Sequence, residues 1–138
     1  QTRFVEDNNQ DYLTEVTNEI MGLGPYFRAV LDNLDFFLQR ADPARVLSMV
    51  RMLQAHAQLV RGLLLISVST DGLDPSIKQE LSSIADMVLS FKVRTIGTDF
   101  ENSMIVSKFR NAPENLKILV FRVTPDEGIT PETVERIA

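Results

Sequence analysis

Residues 42–68 read DPARVLSMVRMLQAHAQLVRGLLLISV, a helical pattern that runs straight into a strand pattern. Asp42 offers a carboxylate to free backbone amides, and Pro43 is preset for the first turn of a helix. From there Val46, Val50, Leu53, Ala57 and Val60 recur at steps of four and three, forming one apolar stripe, while Arg45, Arg51, Gln54 and Gln58 fall elsewhere. Gly62 closes the helix. Leu63 to Val68 is the most hydrophobic run of the chain and has the pattern of a central strand. A helix handed directly to such a strand predicts a βαβ unit, provided that a strand precedes the helix.

One does. Ala29-Val30-Leu31 is a continuous apolar run, the pattern of a strand buried on both faces, and it delivers Asp32 at its C-terminal end before residues 33–38 lead the chain away. Further upstream a helix is expected from about Asp11 to Leu23, with Leu13, Val16, Ile20 and Leu23 on one face. The Gly22-Leu23-Gly24-Pro25 stretch ends it. Thr2 to Glu6 reads as a short strand, and Asp7-Asn8-Asn9 as a cluster able to cap the helix.

Downstream, Asp74-Pro75 repeats the helix-start signal, Ile77, Leu81 and Ile84 form another stripe, and Met87 to Val93 make the next strand. Strands alternating with helices predict an α/β domain with a mostly parallel sheet covered on both faces. The rhythm then changes. Gly97-Thr98-Asp99 is turn chemistry, and Met104 to Phe109 and Lys117 to Val123 follow without a helix between them, as an antiparallel meander. Asp126-Glu127-Gly128 turns the chain again, and Pro131 to Ile137 is expected to form a terminal helical turn. No repeat or low-complexity linker interrupts the sequence, which reads as one domain over residues 1–138.

Composition narrows the classes of function. With 44% hydrophobic and 24% charged residues among 138, the chain has the balance of a globular protein, not of a disordered or membrane-spanning one. Its longest apolar run is strand-sized, and its N-terminus is polar and acidic, unlike a signal peptide. The absence of cysteine removes disulfides, thiolate nucleophiles and thiolate zinc sites, fits a reducing interior, and makes a cytoplasmic location the expectation. A formal net charge of −5 opposes binding to nucleic-acid phosphates. His56, the sole histidine, has no second histidine or cysteine to share a metal and is expected to be exposed or partly packed. Met49, Met52, Met87 and Met104 read as core filler.

Three segments, in order, resemble the second half of a KaiC-like ATPase domain of the RecA superfamily, a family abundant in archaea and also found in bacteria. Ala29-Val30-Leu31-Asp32-Asn33-Leu34 is similar to the family's Walker B strand. Ser83-Ile84-Ala85-Asp86-Met87-Val88-Leu89 is similar to the stretch in which a helix hands over to a late core strand. Ser103-Met104-Ile105-Val106-Ser107-Lys108-Phe109-Arg110, followed by Phe121-Arg122-Val123-Thr124-Pro125-Asp126-Glu127-Gly128-Ile129, is the most specific. It resembles a strand ending in Lys-x-Arg and then a strand ending in a phrase like "Ile-Thr-x-x-Gly-Ile". The match spans roughly Phe27 to Ile129. Asn33 stands where the family usually has serine, and Asn111 where it has glycine.

The resemblance implies a RecA-like, mostly parallel sheet with flanking helices and a C-terminal antiparallel extension. It implies that Asp32 meets a magnesium ion through water, that Ser67 and Ser69 lie where relatives sense the nucleotide, and that Lys108 and Arg110 reach a neighbouring subunit's ATP phosphates in a hexamer. The sequence printed here contains no Gly-x-x-x-x-Gly-Lys-Ser/Thr, the loop that supplies amides, a lysine and a magnesium-binding hydroxyl. The core is therefore expected to be incomplete. ATP and magnesium belong to the parent protein rather than to this chain alone, and the family's catalytic glutamates correspond to positions that would precede Gln1. The strand at Leu63 is expected to expose an apolar edge and to pair with a second copy, giving a dimer.

Each site also has a plain structural reading. Asp32, Ser67, Ser69 and Thr70 fit ordinary turn or cap residues at strand ends. Lys108 and Arg110, two apart on a strand, project from one face roughly 7 Å apart, which suits a phosphate grip and equally suits the charges that protect an edge strand. Two functions follow: the C-terminal part of a regulatory or signalling ATPase, or a non-enzymatic RecA-like module for oligomerisation or docking of a protein partner.

Overall fold

Three aspartates start three helices. The computed structural model describes residues 11–112 and 117–132. Asp11 caps helix α1, Tyr12–Met21, Asp42 caps α3, Pro43–Val60, and Asp74 precedes α4, Pro75–Ile84. The Asp42 carboxylate accepts from the Ala44 amide at 2.9 Å, and Asp74 accepts from both the amide and the hydroxyl of Ser76 at 2.8 and 2.7 Å. The Thr14 hydroxyl, with help from Arg45, holds the Asp11 carboxyl below its ordinary value of 3.8, and the Ser76 hydroxyl does the same for Asp74. The strand expected at Thr2 to Glu6, the Asp7–Asn9 cluster and residues 133–137 lie outside the described residues.

Chain contacts divide the protein into two units, one ending at Ile84 and one beginning at Ala85. In the first, strand β1, Arg28–Leu31, is followed by a short helix α2, Asp35–Leu38, then α3, and strand β2, Leu63–Ile66. β1 and β2 pair in parallel, with Ala29 opposite Leu64 and Leu31 opposite Ile66. This is the βαβ unit that the stretch 42–68 predicts. Val46, Leu53 and Leu34 are fully buried, and Leu13, Ile20, Phe27, Phe37, Met49 and Val50 join them in one core.

Alternate positions on the strands separate two faces. Ala29, Leu31, Leu64 and Ile66 pack against the core, whereas Val30 is 69% exposed and Leu63 and Leu65 are exposed beside it. The expectation of burial on both faces is corrected: the helices of this unit cover one side. Leu23, expected on the apolar face of α1, lies beyond the helix and is exposed.

The end of α3 also differs from its reading. Arg61, not Gly62, takes the left-handed conformation, with φ 55°, and the Gly62 amide donates to the Ala57 carbonyl at 2.8 Å. Gly62 is needed for space. A Cβ there would lie 2.2 Å from Cε1 of Phe27, whose ring is buried and stacks on His56 with centroids 5.7 Å apart. His56 is partly packed, as expected, and its Nε2 lies 3.0 Å from the Leu23 carbonyl oxygen.

The second unit is a four-stranded antiparallel sheet in the order β3-β4-β5-β6, formed by Met87–Ile96, Asp99–Phe109, Ile118–Thr124 and Gly128–Glu132. The meander expected after Gly97 is present. The mostly parallel sheet is not: β3 pairs with β4, and the parallel pairing among the described residues is confined to β1 and β2. Asp126 and Glu127 do turn the chain, with Gly128 at φ 71°. Pro131 and Glu132 continue β6 rather than beginning a helix. Of the four methionines expected in the core, Met49 is buried and Met104 half-buried, but Met52 and Met87 are exposed.

One residue in β4 resets the sheet's two faces. The register runs Leu89 opposite Val106 and then Val88 opposite Lys108, so Ser107 is an extra, bulged residue. Phe91 pairs with Met104, Met104 with Leu119 and Val123 with Ile129, and these share one face. The bulge puts Phe109, opposite Met87, on that face too, and puts Lys108 on the other with Lys92, Arg94, Glu101 and Arg122.

Candidate functional site

The C-terminal ends of two neighbouring parallel strands are where loops can converge on a ligand, and the first unit builds its polar cluster there. Asp32 and Ser67 each follow directly after a strand end. The Ser67 hydroxyl donates to Oδ1 of Asp32. The backbones are stitched as well: the Ser67 amide donates to the Leu31 carbonyl at 3.1 Å, and the Leu34 amide donates to the Ser67 carbonyl at 2.9 Å. Leu34 is fully buried, so the core itself anchors the loop that presents Asp32. The peptide bond between Asp32 and Asn33 is cis.

Ser69, expected near a nucleotide, joins the same cluster through its backbone. Its amide donates to Oδ2 of Asp35 at 3.0 Å, while the Asn33 side chain accepts from the Phe36 amide at 3.4 Å. Asp35 is therefore a member of this cluster that the sequence reading did not single out. Its spacing three residues after Asp32 signals a turn no less than a site, so only the contact with the second loop reveals it.

Asp32 is exposed, and its second oxygen accepts no protein hydrogen bond among the described residues. The arrangement suits a hydrated cation of magnesium type, which keeps several waters and takes one or two carboxylates together with phosphate oxygens. It does not suit a metal held by protein alone. Among the described residues no group of three or more His, Asp or Glu side chains is placed to hold one.

Lys108 and Arg110 belong to the second unit. Arg110 lies one residue past β4, in the turn, opposite Asp86, the residue just before β3. Its amide donates to the Asp86 carbonyl at 2.9 Å, and Nη1 contacts Oδ1 of Asp86 at 2.7 Å. Lys108 is half-buried opposite Val88. β3 pairs with β4 as far as Phe109, whereas the pairing of β4 with β5 covers Asn102 to Ile105. Asp86 is a further residue the sequence reading missed as a partner. It occurs in the stretch 83–89, but the bulge that sets it opposite Arg110 leaves no local signature.

The first unit's parallel strands, with Asp32 and Ser67 at their C-terminal ends, and the second unit's four-stranded antiparallel sheet are similar in fold to KaiC-like proteins. Two solved structures carry the likeness. A KaiC-like protein from the hyperthermophilic archaeon Pyrococcus horikoshii superposes on 96% of this chain with a TM-score of 0.62 at 14% identity. The flagellar accessory protein FlaH from Methanocaldococcus jannaschii superposes on 62% with a TM-score of 0.52 at 24% identity. The chain spans 58% and 38% of the lengths of those two proteins. No family model matches the sequence, and no curated protein does. The expected relationship to KaiC-like proteins therefore stands at the level of the fold.

Proposed function

We propose that this chain is the C-terminal part of a KaiC-like, ATP-binding regulatory ATPase. Asp32 faces a magnesium ion through water, Ser67 orients that carboxylate, and Lys108 and Arg110 contact nucleotide phosphates bound by a neighbouring subunit. One observation carries the reading: the Ser67 hydroxyl ties down one oxygen of Asp32 and leaves the other exposed at the end of a parallel pair. Such a carboxylate is pre-oriented, which lowers the cost of holding a hydrated cation. The sequence given has no loop to cradle phosphates, so the isolated chain does not hydrolyse ATP by itself.

The test is a titration of the isolated chain with magnesium and ATP, followed by NMR. Weak, magnesium-dependent shifts at Asp32 and Ser67, lost in Asp32→Asn, support the reading. Tight binding that survives Asp32→Asn refutes it. A second reading, a non-enzymatic RecA-like module for oligomerisation or partner docking, is favoured by the exposed apolar side chains of both sheets. It predicts no response to magnesium and ATP at either residue.

A further inference from the structure

The sheet of the second unit has one face with no charge. By register, the positions that share a side with Phe91 are apolar on all four strands, apart from Thr95 and Asn102. The opposite face carries Lys92, Arg94, Glu101, Arg122 and Glu132, with ion pairs between Arg94 and Glu101 and between Arg122 and Glu132. An antiparallel sheet with this division keeps its polar face in water and buries its other face. Yet Phe91, Val93, Phe100, Val123 and Ile129 are between 62 and 71% exposed.

We propose that this face packs against the same face of a second copy of the chain, forming a two-fold β-sandwich. Three observations select that occupant. The exposed apolar side chains amount to on the order of 700 Å² per copy, from their fractional exposure and ordinary side-chain areas, close to the roughly 800 Å² per partner of a stable interface. The surface has no charge to be left unpaired, so it meets its own image without penalty, as a two-fold contact requires. Identical twisted sheets also pack face to face about 10 Å apart without adjustment of either.

The sheet's outer strands argue against association by their edges. β3 carries Lys92 and Arg94, and β6 carries Pro131, which lacks an amide hydrogen. These are devices that blunt strand addition. The interface therefore differs from one built on the open edge of β2, and it deepens the second reading above, whose own test is the response to magnesium and ATP.

The chain has no cysteine, so single cysteines report position cleanly. Asn102 and Ser103 are neighbours near the middle of β4 on opposite faces. Sedimentation of the whole chain at micromolar concentration is expected to give a dimer. Phe100→Lys and Val123→Glu are expected to raise its dissociation constant about a hundredfold or more, because a buried unpaired charge is costly. Both side chains are exposed in the single chain, so circular dichroism of the two variants should match the parent. A bifunctional maleimide with a spacer of about 10 Å, the separation of facing sheets, should cross-link Asn102→Cys and not Ser103→Cys. A monomeric parent, a dimer insensitive to both charges, cross-linking only through position 103, or a monomer that instead binds neutral lipid vesicles through this face would each overturn the proposal.

Discussion

Gly62→Ala tests how the end of α3 is packed. The added methyl group would lie 2.2, 2.3 and 2.8 Å from Cε1, Cδ1 and Cζ of Phe27, where carbon atoms settle at about 3.5–4.0 Å. The Phe27 ring has to retreat by more than 1 Å, but it is buried and stacked on His56. Overpacking of this kind costs about 1–3 kcal/mol. The Gly62 φ is not in the left-handed region, so no backbone strain adds to this. Stiffening of the unfolded chain returns about 0.4–1 kcal/mol. A net loss of about 1–2 kcal/mol is expected, read as a lower urea midpoint by far-UV circular dichroism, with the slope unchanged. In a Phe27→Leu background the methyl group has room, and the same substitution should become neutral or stabilising. The double-mutant cycle should therefore show a coupling of about 1–2 kcal/mol. Equal costs in both backgrounds, or no cost in either, would show that the ring does not hold Gly62 in place.

Arg61→Gly should stabilise the chain by up to about 1 kcal/mol, because glycine takes the left-handed conformation without the Cβ conflict; a lower urea midpoint would contradict this. Ser67→Ala should loosen the Asp32 side chain while leaving the Leu34 amide bonded to the carbonyl of residue 67, so the Leu34 amide keeps its protection from hydrogen exchange and Asp32 loses its single rotamer in NMR couplings. Asp11 and Asp74 have carboxyls held below 3.8 in the folded chain, so their contribution is present above pH 3.8 and lost as the pH falls through the lower folded values. Carboxyl-carbon titration should give midpoints below 3.8 for both, with Asp74 moving back toward 3.8 in Ser76→Ala; midpoints at or above 3.8 would remove the cap hydrogen bonds from the account.

Elements whose signals are local were legible in the amino-acid order alone. Asp42-Pro43 and Asp74-Pro75 start helices because a carboxylate and a preset φ act on the very next residues, and the stripe from Val46 to Val60 falls on the buried side because helical spacing is intrinsic to the chain. The aspartate at the end of the first strand was legible for the same reason. What surrounds it was not: Ser67 is 35 positions away from Asp32, and their hydrogen bond exists only because β1 and β2 lie side by side.

Tertiary structure decided which side of each strand is covered, and here the apolar runs at Ala29 and Leu63 misled, since a run of identical polarity carries no period to say that Val30 and Leu65 face outward. It also decided the fate of the basic pair. A single bulged serine, Ser107, shifts every later residue of β4 by one position, carrying Lys108 to the charged face and Arg110 to Asp86. The physical reason is that a strand's faces alternate residue by residue. One extra residue, accommodated by pairing with a distant strand, exchanges inside for outside, and nothing in the neighbouring sequence records it.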